Sequence, residues 1–281
     1  MKIEISSHLK YVVNPPGTLI LNVHALRTQK QAVLEETLLI EPYIKAEELT
    51  SEYGENRLIR LEVLEEKEIS ISYKAVVDNY YVETDHTNQA TSSVAQLPTS
   101  VFPYLYPSRY CQSDKLYRFA NSKFGDIDNP YLKVLTLTDW IYDNVEYLSG
   151  STNSETSAYD TATELAGVCR DFAHLGIALC RALTIPARYF TGYAYKLVPQ
   201  DFHACFEAYL GNEWVLFDAT KLVPLNSLVK IATGRDAADS SFANLFGNIS
   251  CESINVSCSI QEENFEPFYY DASRLKGLSY Q

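Results

Sequence analysis

The first part of the chain contains short segments in which hydrophobic and polar positions alternate with the two-residue period of β-strands. These segments are separated by Pro, Gly, Asn or charged residues and cover residues 19–26, 31–40, 56–63 and 68–77. The pattern predicts a small antiparallel β-sandwich over residues 1–85. Residues 86–100 are polar and contain few large side chains, so we interpret them as a linker.

Helical periodicity and strand-like segments follow in the remainder of the chain. Helices are predicted over residues 113–125, 130–147, 161–167 and 168–184, and strands over 187–195, 203–210, 213–220, 227–232 and 253–260. Thr161 and Glu164 have capping-box spacing, and Gly167 is the expected stop of that short helix. The next helix is apolar nearly all round, which predicts a central, buried helix. Helices first and strands after indicate an α+β domain over residues 101–281.

Net charge, hydropathy and cysteine content limit the kinds of partner and the cellular compartment that we expect for this protein. The chain has 23 Lys and Arg against 36 Asp and Glu, a net charge of −13. Such a surface repels phosphate backbones and anionic lipids, so we expect neither nucleic-acid nor membrane partners. No apolar run approaches the roughly 20 residues of a membrane span, and the first residues lack a signal-peptide pattern. Six cysteines without framework spacing then favour a cytoplasmic protein with reduced thiols.

Cys169 lies at the start of the apolar helix, two residues after Gly167. Free backbone N–H groups and the helix dipole favour a thiolate at such a position. Buried cysteines are also common in protein cores, so a catalytic interpretation needs a base. His174 is five residues further on, roughly 140° around the helix, and cannot share a face with the sulfur.

His203 is a better candidate base because of a predicted hairpin. Gly211-Asn212 is a two-residue turn signal between two strand-like segments. If the residues flanking this turn pair, Asp218 is a diagonal neighbour of His203 on the same face, within about 7–8 Å. Asp218 would then orient the imidazole and leave the other ring nitrogen for a thiol. A register slip of one residue would place the two side chains on opposite faces.

Two segments resemble the core of the transglutaminase-like superfamily. Its bacterial members carry a G-x-C-R/Q-D-x-A helix start, then I-P-A-R-Y, H-A-W-x-E and W-x-x-x-D-P-T. The matching segments here read GVCRDFAHLGIALCRALTIPARYFTGY and HACFEAYLGNEWVLFDAT. The resemblance is close over residues 160–222 and extends in outline over 100–250, and the leading β domain is similar to the N-terminal region of these proteins.

The resemblance implies a papain-like fold in which Cys169 is the nucleophile, His203 the general base and acid, and Asp218 the orienting acid. Two positions depart from the family pattern. Cys205 stands where tryptophan is common, and Ala219 stands where proline is common. These departures bear on the shape of the substrate site more than on the chemistry.

Other polar and sulfur-containing residues receive structural interpretations. Cys180 lies mid-helix among apolar residues, which is typical of the core. Cys205 could be a second reactive thiol or, with Cys169 and His203, a metal ligand. No C-x-x-C or H-x-x-x-H spacing supports a zinc site and no calcium-loop pattern is present, so we predict no metal and no cofactor.

Smaller roles are expected for the charged residues near the helix starts. Arg170 and Asp171 are expected to hold the start of the cysteine helix and a neighbouring loop. Asp236 and Asp239 are expected to cap a helix, with a place in the cleft as the alternative.

The sequence therefore predicts a cysteine protease or amidase that cleaves a peptide or protein amide through a thioester. Two alternatives stay open. An amine acceptor in place of water would make the protein a transglutaminase. Loss of the chemistry would leave a binding module whose β-sandwich presents a partner surface.

Overall fold

The structure is a computed structural model that describes residues 1–51, 56–262 and 264–280. Its helices are α1 (Ser113–Phe124), α2 (Pro130–Asn144), α3 (Ala158–Glu164), α4 (Cys169–Ala182) and α5 (Ala237–Ser240). Its strands are β1 (Lys2–Leu21), β2 (Gln31–Glu41), β3 (Ala46–Thr50), β4 (Arg57–Val63), β5 (Lys67–Asn79), β6 (Val82–Asp85), β7 (Glu146–Tyr147), β8 (Ala166–Gly167), β9 (Ala187–Ala194), β10 (Phe202–Leu210), β11 (Glu213–Phe217), β12 (Leu228–Gly234), β13 (Ala243–Ile260) and β14 (Lys276–Ser279).

The N-terminal strands form one antiparallel sheet in the order β2-β5-β1-β4-β3. The first half of β1 pairs with β5 and the second half with β4. Alternate residues of β1, such as Ile3, Ile5 and Leu19, are fully buried, so both halves share one core. The predicted N-terminal antiparallel β domain is confirmed.

One strand of this sheet comes from the far end of the chain. β13 pairs with β1 along its whole length, from Ile3 opposite Ile260 to Leu21 opposite Ala243. The segment predicted as a strand over residues 253–260 is therefore longer than expected and lies in the N-terminal sheet, although we placed it within residues 101–281. Local periodicity predicts a strand but not the sheet that it joins. The boundaries 1–85, 86–100 and 101–281 otherwise stay a prediction.

The second sheet has the order β11-β10-β9-β12 and is covered by α4. Gly176 allows close packing, because a Cβ there would lie 2.5 Å from a ring carbon of Phe206 on β10. The fully buried residues of α4 include Leu175, Ile177 and Leu179, so the predicted central helix is confirmed. Together with α1, α2 and α3, these elements confirm the α+β class.

The predicted capping box at Thr161 is wrong. The helix begins earlier, at Ala158, where Ser157 donates its backbone N–H to the Asp160 carboxylate at 2.9 Å. Ser157 and Asp160 have the same spacing as the box that we predicted. They form the capping box at the start of the helix, four residues before Thr161. Gly167 does not end this helix but lies in β8, two residues before the first residue of α4.

The N-terminal sheet packs directly against the back of the second sheet. Tyr193 on β9 donates its hydroxyl to the carbonyl of Val23 at 2.8 Å. The side chain of Gln31 donates to the carbonyl of Lys230 at 2.8 Å and accepts from its N–H at 2.8 Å. Within the described ranges, no helix is long and apolar enough to cross a membrane.

Candidate active site

Cys169 is the first residue of α4, and its neighbours fix the entry into this helix. Val168 is extended, and its N–H donates to the carboxylate of Asp171 at 3.0 Å. Arg170 donates to the carbonyls of Asn153 and Thr156 at 2.8 and 2.7 Å, which ties the preceding loop to the helix start. Both charged residues thus have the local roles expected from the sequence, and the Cys169 side chain stays partly exposed.

The predicted hairpin and its register are confirmed. Leu210 pairs with Glu213 across the turn, as the two-residue loop requires. At the other end of the hairpin, Nε2 of His203 lies 2.9 Å from Oδ2 of Asp218, and both side chains are at most 1% exposed. The second oxygen of Asp218 accepts from the N–H and the hydroxyl of Thr220, at 2.9 and 2.7 Å. Thr220 therefore fixes one carboxylate oxygen of Asp218, and the other carboxylate oxygen fixes the orientation of the His203 imidazole.

The environment of His203 favours the charged imidazolium. Burial is the largest single influence and opposes the charge, but the carboxylate of Asp218 and the thiols of Cys205 and Cys169 together outweigh burial. The pKa of His203 is consequently raised well above its ordinary value. Its Nδ1 is buried without a hydrogen-bond partner among the described residues, and the Cys169 thiol contributes to the raised pKa of the same ring. The structure thus brings the three residues that we predicted into one cluster.

Cys205 lies beside this cluster and is fully buried. Burial, followed by the charge of Asp218, raises the pKa of the Cys205 thiol to about 12. Single donor atoms of His203, Cys205 and Asp218 all lie within 4.8 Å of one another. These are zinc-type donors, but a metal would have to displace the thiol proton and insert into the His203–Asp218 hydrogen bond. The set also differs from the one considered from sequence, which contained Cys169 in place of Asp218.

The other candidate residues have structural contacts. Nε2 of His174 accepts from the N–H of Ala237 at 3.1 Å, and burial holds the pKa of His174 well below its usual value. Asp236 accepts from the N–H of Ala238 at 2.9 Å and caps α5, as expected. Asp239 pairs with Arg235 at 2.8 Å.

Two tyrosines next to the cluster were missed by the sequence analysis. Tyr270, from the C-terminal segment, accepts a hydrogen bond from the N–H of Asp218 and donates to the carbonyl of Leu216 at 3.1 Å. The ring of Tyr147, from β7, lies 5.7 Å from that of Phe172 on α4, and burial followed by the charge of Cys169 raises the pKa of Tyr147. Both are distant in the chain from the motif, and no local pattern in the sequence marks either of them.

Comparison with known proteins identifies the family of the chain. The model of the transglutaminase-like superfamily matches residues 117–219, and that of the bacterial transglutaminase N-terminal domain matches residues 1–100. A crystal structure from Cytophaga hutchinsonii is 58% identical, covers 100% of this chain and 98% of its own, and superposes with a TM-score of 0.98. The chain belongs to the transglutaminase-like superfamily. The core match of this transglutaminase-like protein includes Cys169, His203 and Asp218.

The relatives of this transglutaminase-like protein indicate the general class of its function. The Cytophaga hutchinsonii protein is provisionally named a cysteine protease. An uncharacterised protein of Mycobacterium leprae is 28% identical over 144 residues, which are 48% of this chain and 51% of that protein. The chain thus spans about half the length of this curated relative. Family membership and the solved neighbour support a cysteine enzyme.

Proposed function

We propose that this protein is a cysteine-dependent amide hydrolase that cleaves a peptide or protein amide through a thioester on Cys169. The observation that carries the proposal is the position of His203. Its Nε2 is held by Asp218 at 2.9 Å, which leaves Nδ1 for the thiol at the start of α4. The provisional name of the 58% identical neighbour supports the same class of reaction.

The reaction begins with attack by the Cys169 thiolate. Its electron pair forms the C–S bond, and the carbonyl π pair moves to oxygen. The imidazolium of His203 then gives its proton to the amide nitrogen, the electron pair on the oxyanion re-forms the C=O bond as the C–N bond breaks, and the amine leaves a thioester on Cys169. Because the pKa of His203 is raised, the imidazolium keeps this proton until the C–N bond breaks.

Hydrolysis of the thioester uses the same residues in reverse order. Neutral His203 removes a proton from water as the water oxygen attacks the thioester carbonyl. The C–S bond breaks, which releases the acid and restores the Cys169 thiolate. The Cys169 N–H, in the first turn of α4, needs no partner within the helix and is available to the oxyanion.

An alkylation experiment tests whether Cys169 is activated, and the chain contains its own control. Cys251 is exposed, and its pKa is raised by partial burial and by Glu252. Limiting iodoacetamide at pH 6 is expected to label Cys169 ahead of Cys251, because Cys169, unlike Cys251, has the imidazolium of His203 as a neighbour. Peptide mapping by mass spectrometry measures the two labels.

A contrary result would change the class of protein. Label on Cys251 with an unreactive Cys169 would mean that exposure alone governs reactivity. The protein would then be a binding module with an inactive cluster.

A further inference from the structure

The strand that leads to Asp218 lies at an edge of the second sheet. This strand is β11, and Asp218 directly follows its last residue. With Leu210 opposite Glu213 across the two-residue turn, alternate residues of β11 bond to β10, so the backbone groups of Leu216 and Asp218 point away from β10. Both residues are buried, and their backbone groups therefore need partners from elsewhere in the protein.

The Tyr270 hydroxyl is a partner to both residues. It accepts a hydrogen bond from the N–H of Asp218 and donates to the carbonyl of Leu216 at 3.1 Å. A residue of a parallel neighbouring strand would bond the same two groups, so one phenol takes the place of a strand at this point. The ring of Tyr270 lies 5.5 Å from that of Phe217 at an interplanar angle of 15°, which keeps the hydroxyl at the sheet edge.

Asn226 fixes the segment that carries Tyr270. Its buried side chain donates to the carbonyl of Glu266 at 2.9 Å and accepts from the N–H of Phe268 at 2.9 Å. The N–H of Leu225 donates to the carbonyl of Phe268, also at 2.9 Å. Residues 266–268 are thus held just before Tyr270, through hydrogen bonds that do not involve the catalytic cluster.

We infer that Tyr270 is a positioning residue that holds Asp218 in the place from which it orients His203. The inference rests on the proposed function. Thr220 and His203 bond the two carboxylate oxygens of Asp218, whereas Tyr270 bonds the backbone from which the carboxylate projects. A carboxylate on a fixed backbone needs no rearrangement when the imidazole becomes charged. The C-terminal segment, which lies outside the matched core of residues 117–219, thereby takes part in orienting the base.

The substitution Tyr270→Phe removes the hydroxyl and keeps the ring against Phe217. We expect acylation of Cys169 by p-nitrophenyl acetate at pH 6, measured by release of coloured nitrophenolate, to slow by about 10- to 10²-fold. Asn226→Ala keeps the hydroxyl but frees the segment that carries it, so a smaller loss in the same direction is expected. Urea unfolding of each variant measures the accompanying loss of stability.

The pH profile of acylation reports on Asp218 itself. A displaced carboxylate stabilises the His203 imidazolium less, so the alkaline limb is expected to move to lower pH in both variants. The other titratable groups that interact with His203 belong to separate elements and keep their places; they are the thiols of Cys205 and Cys169, the carboxylate of Asp201 and the phenol of Tyr147.

A double-mutant cycle separates positioning from a general loss of stability. If Tyr270 acts through the carboxylate of Asp218, adding Tyr270→Phe to Asp218→Asn should slow acylation by less than about threefold. Tyr73→Phe is the matched control. The Tyr73 hydroxyl also accepts from a backbone N–H, that of Ala25 at 3.2 Å, and donates to Glu36 at 2.8 Å, but it lies in the core of the N-terminal sheet. Tyr73→Phe is expected to keep the wild-type rate and pH profile.

The contrary outcomes are distinct. An unshifted alkaline limb in Tyr270→Phe, or in Asn226→Ala if only that variant folds, would overturn the inference. Equal losses of rate in Tyr270→Phe and Tyr73→Phe would mean that only stability changed, and a full loss on the Asp218→Asn background would mean that Tyr270 acts elsewhere. If the wild type acylates no faster than Cys169→Ala, the proposed function fails and the inference fails with it. A failure confined to the Tyr270 and Asn226 variants leaves the proposed function intact.

Discussion

The substitution His203→Ala is expected to lower the rate of Cys169 acylation at pH 6 by about 10²- to 10⁴-fold. Without the imidazolium, the thiol loses the charged neighbour that stabilises its thiolate. Release of nitrophenolate from p-nitrophenyl acetate measures the rate. His8→Ala is the matched control, since His8 lies on β1 and bonds only Ser70 and Ser72 among the described side chains. Equal rates in the two variants would contradict the role of His203.

The substitution Asp218→Asn tests the role of His203 without removing its imidazole. The asparagine keeps a hydrogen bond to His203 but removes the carboxylate, which is the largest contribution that raises the pKa of His203. Burial, which lowers the pKa, then dominates, so the imidazolium is lost at a lower pH. The alkaline limb of the acylation–pH profile is therefore expected to move to lower pH. A limb that stays in place would mean that Asp218 does not set the charge of His203.

Glu207→Ala is expected to destabilise the fold by about 3–5 kcal/mol. Glu207 is fully buried on β10, where Arg188 Nε lies 2.5 Å and Lys230 Nζ 2.6 Å from its two carboxylate oxygens. Burial opposes its ionisation, yet these two cations lower the pKa of Glu207. Removing the carboxylate leaves two buried cations that have lost their shared counter-charge. Urea unfolding at pH 7 measures the change in free energy.

The matched control for Glu207 is an ion pair at the surface. Glu47 pairs with Arg60 and is 52% exposed, so Glu47→Ala should cost at most about 1 kcal/mol. Similar losses in Glu207→Ala and Glu47→Ala would mean that the buried cluster does not hold the second sheet together.

The contact between His203 and Asp218 was predictable from the sequence. A two-residue turn fixes the register of its hairpin, and the register fixes which side chains share a face. The central position of α4 was predictable because its residues are apolar nearly all round.

The approach of Cys169 to this hairpin was not predictable from spacing. It depends on the packing of α4 against β10, where Gly176 meets Phe206. The same limit applies to β13, whose pattern predicts a strand but not its pairing with β1. It applies also to Tyr147 and Tyr270, which reach the site through contacts between distant parts of the chain.

The most direct test of the account is to locate the acyl group after brief treatment of the wild type with p-nitrophenyl acetate. Quenching in acid followed by peptide mapping is expected to show an acetyl thioester on Cys169 that forms and then disappears as water hydrolyses it. Cys169→Ala should show no such adduct. Acetylation that is confined to lysines, or that is equal in the wild type and Cys169→Ala, would contradict a thioester mechanism at this site.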